Sequence, residues 1–356
     1  MTAAPRILFF ADAGASVGGG HVMRCLTLAE ALIRAGAVCG FVATPEAETV
    51  LRAFAGSEIA RWPIPADEVG PCVAAVAERA RAWGAAGVVL DHYGAGLAQE
   101  RTLKATGAGL LALDDLRRAH DADLVLDPTL GRTPADYTGQ AALTGAAFAL
   151  VRPAFAERRA GLSPEGRRRP VRRILVSLGL TDVGAITARV ARALSAGLVE
   201  QTLEIVVGAA APSLPALRAQ AERDARLQVH VDVREMAALA AEADLAIGAG
   251  GSSAWERCCL GLPSLILVLA ENQRINTQAL AAAGAGLMLD AAVPGFDLRL
   301  VEAVDRLIDD PALRERLSRS SAALCDGLGA ERAAAAVLGL AEARRIGNPQ
   351  DSGAAS

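Results

Sequence analysis

The 356-residue chain lacks the features of a membrane protein, a secreted protein or a nucleic-acid-binding protein. No apolar run approaches the length that a membrane-spanning helix needs. The N-terminus shows no basic segment followed by a long apolar stretch, which a signal peptide would require. The net charge is -4 at pH 7, whereas nucleic-acid-binding proteins usually have a basic face. We therefore expect a soluble, cytoplasmic protein whose partner is neither nucleic acid nor a membrane.

The chain also lacks the cysteine and histidine spacing of a metal site. Its six cysteines do not have the paired spacing of metal ligands, and most lie within apolar patterns. This indicates buried thiols in a reducing compartment. Asp121 and Asp123 have the bare spacing of a metal–diphosphate pair, but two acids two positions apart are common. We expect no metal and no cofactor.

Short apolar runs alternate with helical patterns along the whole chain, which predicts parallel sheets covered on both faces. The predicted strands of the first half are 7–10, 38–43, 87–91, 109–114 and 124–126, and those of the second half are 174–177, 202–207, 227–230, 245–248 and 264–269, with a short apolar segment at 286–289. The fold class is therefore α/β, with two Rossmann-like domains that face a cleft.

A polar stretch without periodicity separates the two halves and contains two prolines. We predict a solvated linker there, although its arginines (residues 167–173) also suit an acidic partner. The predicted division is an N-terminal domain at 1–155, a linker at 156–173, a C-terminal domain at 174–346 and a disordered tail at 347–356. In such sheets, ligands bind beyond the carboxyl ends of the strands, so the site is expected in the cleft.

The most informative motif is a glycine-rich turn that ends in a histidine, Gly18-Gly19-Gly20-His21. An apolar strand precedes it, and apolar residues recur at helical spacing after it. Glycines allow the backbone to approach a ligand closely, and a helix N-terminus suits a phosphate. The same positive potential disfavours imidazolium, so His21 is expected to remain a neutral proton acceptor. The alternative is a turn in which His21 only caps or packs.

A second glycine-rich turn repeats this pattern in the other half of the chain, at residues 248–257. Its glycines follow an apolar strand, and its serines are placed to cap the next helix. The turn is a second place to hold a diphosphate on backbone amides. Glu256 is suited to bind a ribose diol, although interaction with the helix dipole explains it equally well. Two such turns, one per domain, are more specific than one.

Three polar clusters follow predicted strands directly and are expected to point into the cleft. Asp91, His92 and Tyr93 form the first cluster. Asn272 and Gln273 form the second, and their amides suit sugar hydroxyl or acetamido groups unless Asn272 is only a helix cap. The third cluster is the acid pair 114–115, for which a turn role and a ligand role are equally plausible. His120 and His230 receive no role.

Both turns, with the Asp91 and Asn272 clusters, resemble the UDP-sugar hydrolases of pseudaminic acid synthesis. The similar stretches are 19–29, 91–93, 250–263 and 272–273, so the resemblance covers most of the globular chain. It implies a glycosyltransferase-B fold and no metal. It also implies that water cleaves UDP-2,4-diacetamido-2,4,6-trideoxy-β-L-altropyranose at the anomeric carbon, with inversion, giving the free sugar and UDP.

The resemblance also implies the roles of individual residues. His21 would activate the water, and Tyr93 would lie in the active site. Gly250, Gly251, Ser252, Ser253 and Glu256 would hold the diphosphate and ribose. The remaining predicted substrate-binding residues are Gly19, Gly20, Arg24, Asp91, Gly179, Asn272 and Gln273. One departure concerns the first turn of the second domain, where Leu180 stands in place of an expected second glycine and puts close backbone approach to the ligand in doubt.

Three other functions remain open at this point. A glycosyltransferase of the lipid-sugar type has the same fold and a similar second turn, but it should present an apolar or basic docking surface. A UDP-sugar 2-epimerase usually needs additional acids, and Asp91, Asp114 and Asp115 stay open as candidates for them. A nucleotide-sugar-binding protein would bind UDP without turnover. The chemistry of hydrolysis needs one strong base, because a UDP diphosphate is a good leaving group.

Overall fold

The computed structural model describes residues 3–14, 17–65 and 68–347, and these residues form two parallel β-sheets. The first sheet has seven strands: β1 Arg6–Ala11, β2 Val38–Ala43, β3 Ala60–Pro63, β4 Gly87–Asp91, β5 Gly109–Leu113, β6 Leu124–Asp127 and β7 Ala141–Thr144. The second sheet has six: β8 Arg173–Ser177, β9 Thr202–Val207, β10 Leu227–Val231, β11 Leu245–Ala249, β12 Ser264–Val268 and β13 Leu287–Asp290. The predicted fold class is confirmed.

Helices cover both faces of each sheet. They are α1 Gly20–Arg34, α2 Pro45–Phe54, α3 Val69–Trp83, α4 Leu97–Lys104, α5 Pro153–Arg159, α6 Ile186–Ser195, α7 Leu214–Ala221, α8 Met236–Glu242, α9 Ser253–Cys259, α10 Arg274–Ala282, α11 Phe296–Asp309, α12 Pro311–Leu324 and α13 Gly329–Gly347. In β1, Ile7 and Phe9 face one core of the first sheet, whereas Leu8 and Phe10 face the other. This alternation explains why the strand sequence is continuously apolar.

The strand order places a switch point in each sheet. The order is β3-β2-β1-β4-β5-β6-β7 in the first sheet and β10-β9-β8-β11-β12-β13 in the second. The connections therefore reverse direction between β1 and β4 and again between β8 and β11. Open parallel sheets bind ligands at such points, beyond the carboxyl ends of the strands. Each glycine-rich turn follows one of these four strands, the first turn after β1 and the second after β11.

Two edge strands and one helix have no clear signal in the sequence. β3 and β7 lie at the outer edges of the first sheet and are only partly buried. Edge strands need no continuous apolar run, so neither gives a strong sequence pattern. The short helix α5 was missed because only Phe155 in it is fully buried.

Most of the segment predicted as a solvated linker is exposed or half-buried, and its buried Arg167 anchors it to the second half of the chain. The guanidinium of Arg167 donates to the carbonyl oxygens of Ala243 at 2.7 Å and Leu260 at 3.1 Å. Arg314 in turn donates to the carbonyl of Arg167 at 2.9 Å. The arginines of this segment therefore bind the second half of the chain itself. A buried guanidinium group can satisfy several carbonyls at once, which explains an arginine at position 167.

The chain crosses between the sheets twice. Ala149, Val151 and Phe155 already belong to a core of the second sheet. At the other end, α13 packs on the first sheet, where Ala330, Ala333 and Val337 join the core beside α1. A Cβ on Gly109 of β5 would lie 2.6 Å from Leu340 Cγ, so a glycine there lets α13 approach the sheet. The predicted division had placed this helix with the second sheet.

Other sequence expectations concern the cysteines, the tail and the membrane. All six cysteines are free and buried. Gly347 is the last residue of α13, and the rest of the predicted tail, 348–356, lies outside the described residues. Within the described ranges, no helix combines the length and apolar character that crossing a membrane requires.

The packing of α13 predicts a local effect of charge in that helix. Ala333 is fully buried against the first sheet, whereas Ala335 two positions later is exposed. We expect Ala333→Asp to lower the free energy of unfolding by about 3–5 kcal/mol, because it buries an unpaired carboxylate. The matched Ala335→Asp should cost only about 0.7 kcal/mol, from helix propensity. Urea denaturation measures both values.

Hydrogen exchange then shows which sheet depends on α13. In Ala333→Asp, faster amide exchange is expected in β1 and β5 of the first sheet. Faster exchange confined to β8 and β11 would contradict the packing described here.

Candidate active site

The two glycine turns face each other across a cleft of about 520 Å³ between the sheets. The first glycine turn (residues 18–20) leads from β1 into α1, and the second (residues 248–253) leads from β11 into α9. A Cβ on Gly20 would lie 3.9 Å from Ser252 Oγ. The opposed turns thus form the narrow part of the cleft, where a diphosphate can contact backbone from both sides.

His21 lies at the start of α1 and is held by a buried carboxylate. Its Nδ1 is 2.6 Å from Asp91 Oδ1, and the two side chains are 6% and 1% exposed. Asp91 ends β4, which pairs with β1, so the switch point brings the two residues together. Donation from Nδ1 to the carboxylate fixes the tautomer and leaves Nε2 as the proton acceptor. The two residues have the arrangement of a general base and its orienting acid.

Arg24, one turn after His21, binds the same carboxylate. Its Nε and Nη2 donate to the two oxygens of Asp91, each at 2.6 Å, and its Nη1 donates to Asp115 at 2.9 Å. Burial disfavours ionisation of Asp91, but Arg24 and His21 outweigh it and hold the pKa of that carboxyl well below its usual range. Asp91 is therefore an anion that both His21 and Arg24 require.

Tyr93 connects this group to the second domain. Its hydroxyl donates to Asp115 at 2.9 Å and accepts from Asn272 Nδ2 at 2.8 Å. Its ring meets the His21 ring edge to face, with centroids 4.5 Å apart. Burial, and then Asp115, raise the pKa of Tyr93 far above neutrality, so the phenol stays protonated. Asn272 thus bridges the domains and does not merely cap a helix.

The second glycine turn is shaped by tight packing around its backbone. A Cβ on Gly250 would lie 2.0 Å from Thr277 Oγ1, so only glycine fits. Gly251, Ser252 and Ser253 line the cleft. Ser252 occupies the cap position of α9 without a capping hydrogen bond from its side chain. The Gln273 Oε1 atom accepts from the backbone N–H of Leu269 at 3.2 Å, which fixes the neighbouring loop.

Glu256 lines the cleft but is paired with an arginine that the sequence did not indicate. Arg152 donates to the two oxygens of Glu256 at 2.7 and 3.1 Å. Arg152 also lines the cleft. It precedes the short helix α5, where no motif marks it. The pair holds the Glu256 carboxylate at the cleft wall, where it can accept hydrogen bonds from a diol.

The turn after β8 also reaches the cleft and departs from the expected glycine pair. Gly179 has φ = +112°, a backbone conformation that favours glycine. Leu180 packs against the core of the first sheet, and its Cδ1 would lie 3.8 Å from a Cβ on Gly19. Leu180 therefore contacts the opposite domain beside the first glycine turn.

A buried polar network lies behind the site at the ends of β5 and β6. The Tyr137 hydroxyl is 2.8 Å from Asp114 and 2.7 Å from Asp127. Asp114 also accepts from the backbone N–H of Arg118 at 2.8 Å, which shapes the loop that carries Asp115. The two acids of the third cluster therefore divide their roles. Asp114 holds the loop, and Asp115 contacts site residues.

His120 belongs to the same network, and His230 lies outside it. Nδ1 of His120 is 2.6 Å from Glu100, and its Nε2 is 3.4 Å from Asp114. Burial opposes a charge on the ring, but Asp114 and Glu100 outweigh it and raise the pKa of His120 to about 9. His230 pairs with Glu204 at 2.7 Å on the second sheet.

The acid pair weighed as a metal site is engaged with basic side chains instead. Asp121 accepts from Arg101 and Lys104, both at 3.0 Å, and Asp123 accepts from the backbone N–H of Leu110 at 2.9 Å. In the part of the chain that the structure describes, no group of three or more His, Cys, Asp or Glu side chains is arranged to hold a metal ion.

Known proteins are similar to this chain in two respects. A family model matches part of its second half, and solved structures have the same fold. Residues 200–333 match the family model described as the glycosyltransferase family 28 C-terminal domain. The Acinetobacter baumannii MurG structure aligns with a TM-score of 0.65 at 18% identity, covering 94% of this chain and 99% of MurG. Spinosyn rhamnosyltransferase SpnG in complex with thymidine diphosphate aligns with a TM-score of 0.62 at 19% identity, over 94% and 99% of the two chains. The fold is thus that of the glycosyltransferase-B proteins.

Curated proteins are similar to this chain in sequence over different lengths. The spore coat polysaccharide biosynthesis protein SpsG of Bacillus subtilis is 30% identical over 200 residues, which are 56% of this chain and 58% of SpsG. The UDP-2,4-diacetamido-2,4,6-trideoxy-beta-L-altropyranose hydrolase of Campylobacter jejuni is 22% identical over 286 residues, which are 78% of this chain and 97% of the hydrolase. The alignment with SpsG therefore spans less than two thirds of SpsG, whereas the more distant alignment spans nearly the whole hydrolase.

The His120 network predicts a dependence of stability on pH. His120 has an ordinary pKa near 6.5 when unfolded and about 9 when folded. Its ion pairs therefore stabilise the fold fully below pH 6.5, and this stabilisation is lost as the pH rises through 9. The free energy of unfolding of the wild type minus that of His120→Gln should fall by up to about 3 kcal/mol between pH 6 and pH 9.5. A difference that stays constant over this range would contradict the assignment.

Proposed function

We propose that this chain hydrolyses a UDP-linked 2,4-diacetamido-trideoxy sugar at its anomeric carbon and releases UDP and the free sugar. The observation that carries the proposal is the His21–Asp91 pair at the narrow part of the cleft, with 2.6 Å between Nδ1 and Oδ1. Hydrolysis needs one base to remove a proton from water, and an imidazole oriented by a carboxylate is suited to that step.

The reaction balances with this chain's own groups and one water. The water oxygen bonds to the anomeric carbon from the face opposite UDP, and its proton passes to Nε2 of His21. The bond between the anomeric carbon and the diphosphate oxygen breaks, and its electron pair leaves with UDP. The sugar is released with inverted configuration. Asp91 stays ionised and stabilises the imidazolium that forms.

The leaving group needs charge stabilisation more than a proton. We assign this role to the backbone N–H groups of the second glycine turn and to the Ser252 and Ser253 hydroxyls. Glu256 binds the ribose diol, held at the cleft wall by Arg152 at 2.7 Å. A protein of the same fold, SpnG, has a structure in complex with thymidine diphosphate, which supports a nucleoside diphosphate as the ligand class.

The sugar would lie between the domains, beside the Tyr93–Asn272 hydrogen bond of 2.8 Å. The Asn272 and Gln273 amides suit acetamido groups, because they donate and accept hydrogen bonds. Closure across this contact would exclude bulk water and admit one positioned water. The sugar itself is inferred from the Campylobacter jejuni hydrolase, to which the alignment extends over 97% of that protein.

A glycosyltransferase is the second candidate, because residues 200–333 match a glycosyltransferase family 28 domain. The matched residues include the second glycine turn. The match therefore bears on nucleotide binding more than on the choice between water and an acceptor. His21, Asp91 and Tyr93 lie outside it. The two functions differ in one measurable respect, since only the hydrolase releases UDP without an acceptor.

The first test is UDP release from the diacetamido-trideoxy-altrose nucleotide sugar in water enriched in heavy oxygen, without acceptor or metal. We expect the label on the anomeric hydroxyl of the sugar. His21→Asn should lower kcat by roughly 10²- to 10⁴-fold and leave the Kd for UDP within about twofold, because the base does not contact the nucleotide in this scheme. Calorimetry with UDP measures the Kd.

His230→Asn is the matched control, because His230 pairs with Glu204 at 2.7 Å away from the cleft. It should keep the activity of the wild type. Near-native turnover by His21→Asn would exclude His21 as the base. Tight UDP binding without UDP release by the wild type would favour the transferase, or a protein that binds nucleotide sugars without turnover.

A further inference from the structure

Arg257, in helix α9, is a buried guanidinium directly behind the second glycine turn. It is 5% exposed. Its Nη2 donates to the carbonyl oxygen of Ala249 at 2.7 Å, and its Nη1 donates to Ser253 Oγ at 3.1 Å. Ala249 and Ser253 both line the cleft. Arg257 therefore lies one residue layer below the cleft wall and is bonded to that wall at two points.

The backbone of the turn is built around this side chain. A Cβ on Gly248 would lie 2.3 Å from Arg257 Nη1 and 2.4 Å from its Cζ. Both atoms belong to the rigid guanidinium plane, so only glycine fits at position 248 when the guanidinium group is there. The first glycine of the turn thus makes room for a cation, and Gly251 remains at the cleft wall for the ligand.

The positive charge of Arg257 lacks a carboxylate partner among the described residues. Its neighbour in sequence, Glu256, is paired with Arg152 at 2.7 Å, and Arg257 Nε has no hydrogen-bond partner within the described ranges. Burial lowers the pKa of Arg257 to about 10, so the group is still charged at neutral pH. By contrast, Arg24 across the cleft is bound by two carboxylates. An uncompensated buried cation is costly unless something neutralises it.

We propose that Arg257 is a positioning residue that prepares the second glycine turn for a diphosphate, with the ligand as its missing counter-charge. This inference rests on the proposed nucleotide site. Because Ser253 Oγ accepts a hydrogen bond from Arg257, its own hydrogen is free to be donated. The serine becomes a donor toward the cleft, polarised by the cation behind it. The diphosphate is stabilised through Ser253 and by the field of Arg257, without direct contact.

The charge argument predicts that Arg257 acts on the diphosphate and not on the nucleoside. We would titrate the wild type, Arg257→Gln, Arg257→Lys and Ser253→Ala with UDP by calorimetry, and with uridine by NMR. Arg257→Gln should weaken UDP binding by about 10- to 100-fold, the range of a charge-assisted hydrogen bond. Uridine binding should stay within about twofold of the wild type. Arg257→Lys should retain part of the affinity for UDP, because it keeps the charge.

The coupling through Ser253 has its own readout. Ser253→Ala should also weaken UDP binding selectively. The double variant Arg257→Gln/Ser253→Ala should weaken UDP binding by less than the product of the two single-variant factors, because part of the effect of Arg257 passes through Ser253.

Arg167→Gln is the matched control for loss of a buried guanidinium. Arg167 is 8% exposed and donates to two carbonyl oxygens. It does not line the cleft. This variant should lose stability and keep the wild-type affinity for both ligands.

The outcomes separate this inference from the proposed function. If the wild type does not bind UDP, the nucleotide site itself is wrong. If the wild type binds UDP and Arg257→Gln weakens UDP and uridine equally, Arg257 only shapes the turn and the inference is overturned. Unchanged UDP affinity in a folded Arg257→Gln variant overturns it as well. Should that variant not fold, Ser253→Ala and Arg257→Lys still decide, since full UDP affinity in both would contradict the proposal.

Discussion

The carboxylate of Asp91 is shared by His21 and Arg24, and the arrangement of the first domain's half of the cleft depends on it. Asp91 is 1% exposed and accepts hydrogen bonds of 2.6 Å from both residues. A carboxylate this deeply buried is stable only as an ion with such partners. Its requirement for them fixes the rotamers of both residues, and Arg24 then orients Asp115. Asp115 holds the hydroxyl of Tyr93, and Tyr93 bonds to Asn272 in the second domain.

The second domain also contains a buried ion at the cleft, but of the opposite charge. There the buried ion is Arg257, which supports the second glycine turn from behind, and no carboxylate among the described residues accepts from it. The two halves of the cleft therefore differ in charge balance. The first contains a compensated ion network that can orient a base. The second contains an excess of positive charge where a diphosphate is proposed to bind. A proton-accepting imidazole suits the first environment, and an anionic leaving group suits the second.

Most of the residues that the sequence predicted for the site line the cleft, because both glycine turns and the strand-end clusters are local features. Parallel strands present their carboxyl ends at one edge, so His21 and Asn272 could be assigned to the cleft without coordinates, whereas Asp91 is buried behind His21. Arg152 could not, since its pairing with Glu256 depends on a crossing between the domains that no motif marks. Asp115 was indicated only as one of two strand-end acids. Its separation from Asp114 depends on which carboxylate faces the buried Tyr137.

The sequence by itself determined two α/β domains with parallel sheets and the positions of the turns, because periodicity and glycine spacing are imposed by backbone geometry. Tertiary structure alone decided which charges meet. Helix α13 returns to the first sheet, arginines of the expected linker bind buried carbonyls of the second half, and Arg257 is enclosed behind Gly248. Each of these contacts joins residues through the folding of separate elements, or through burial that removes water from a charge. Local sequence does not encode such contacts or such burial, since the interaction energy of a charge depends on all the groups packed around it.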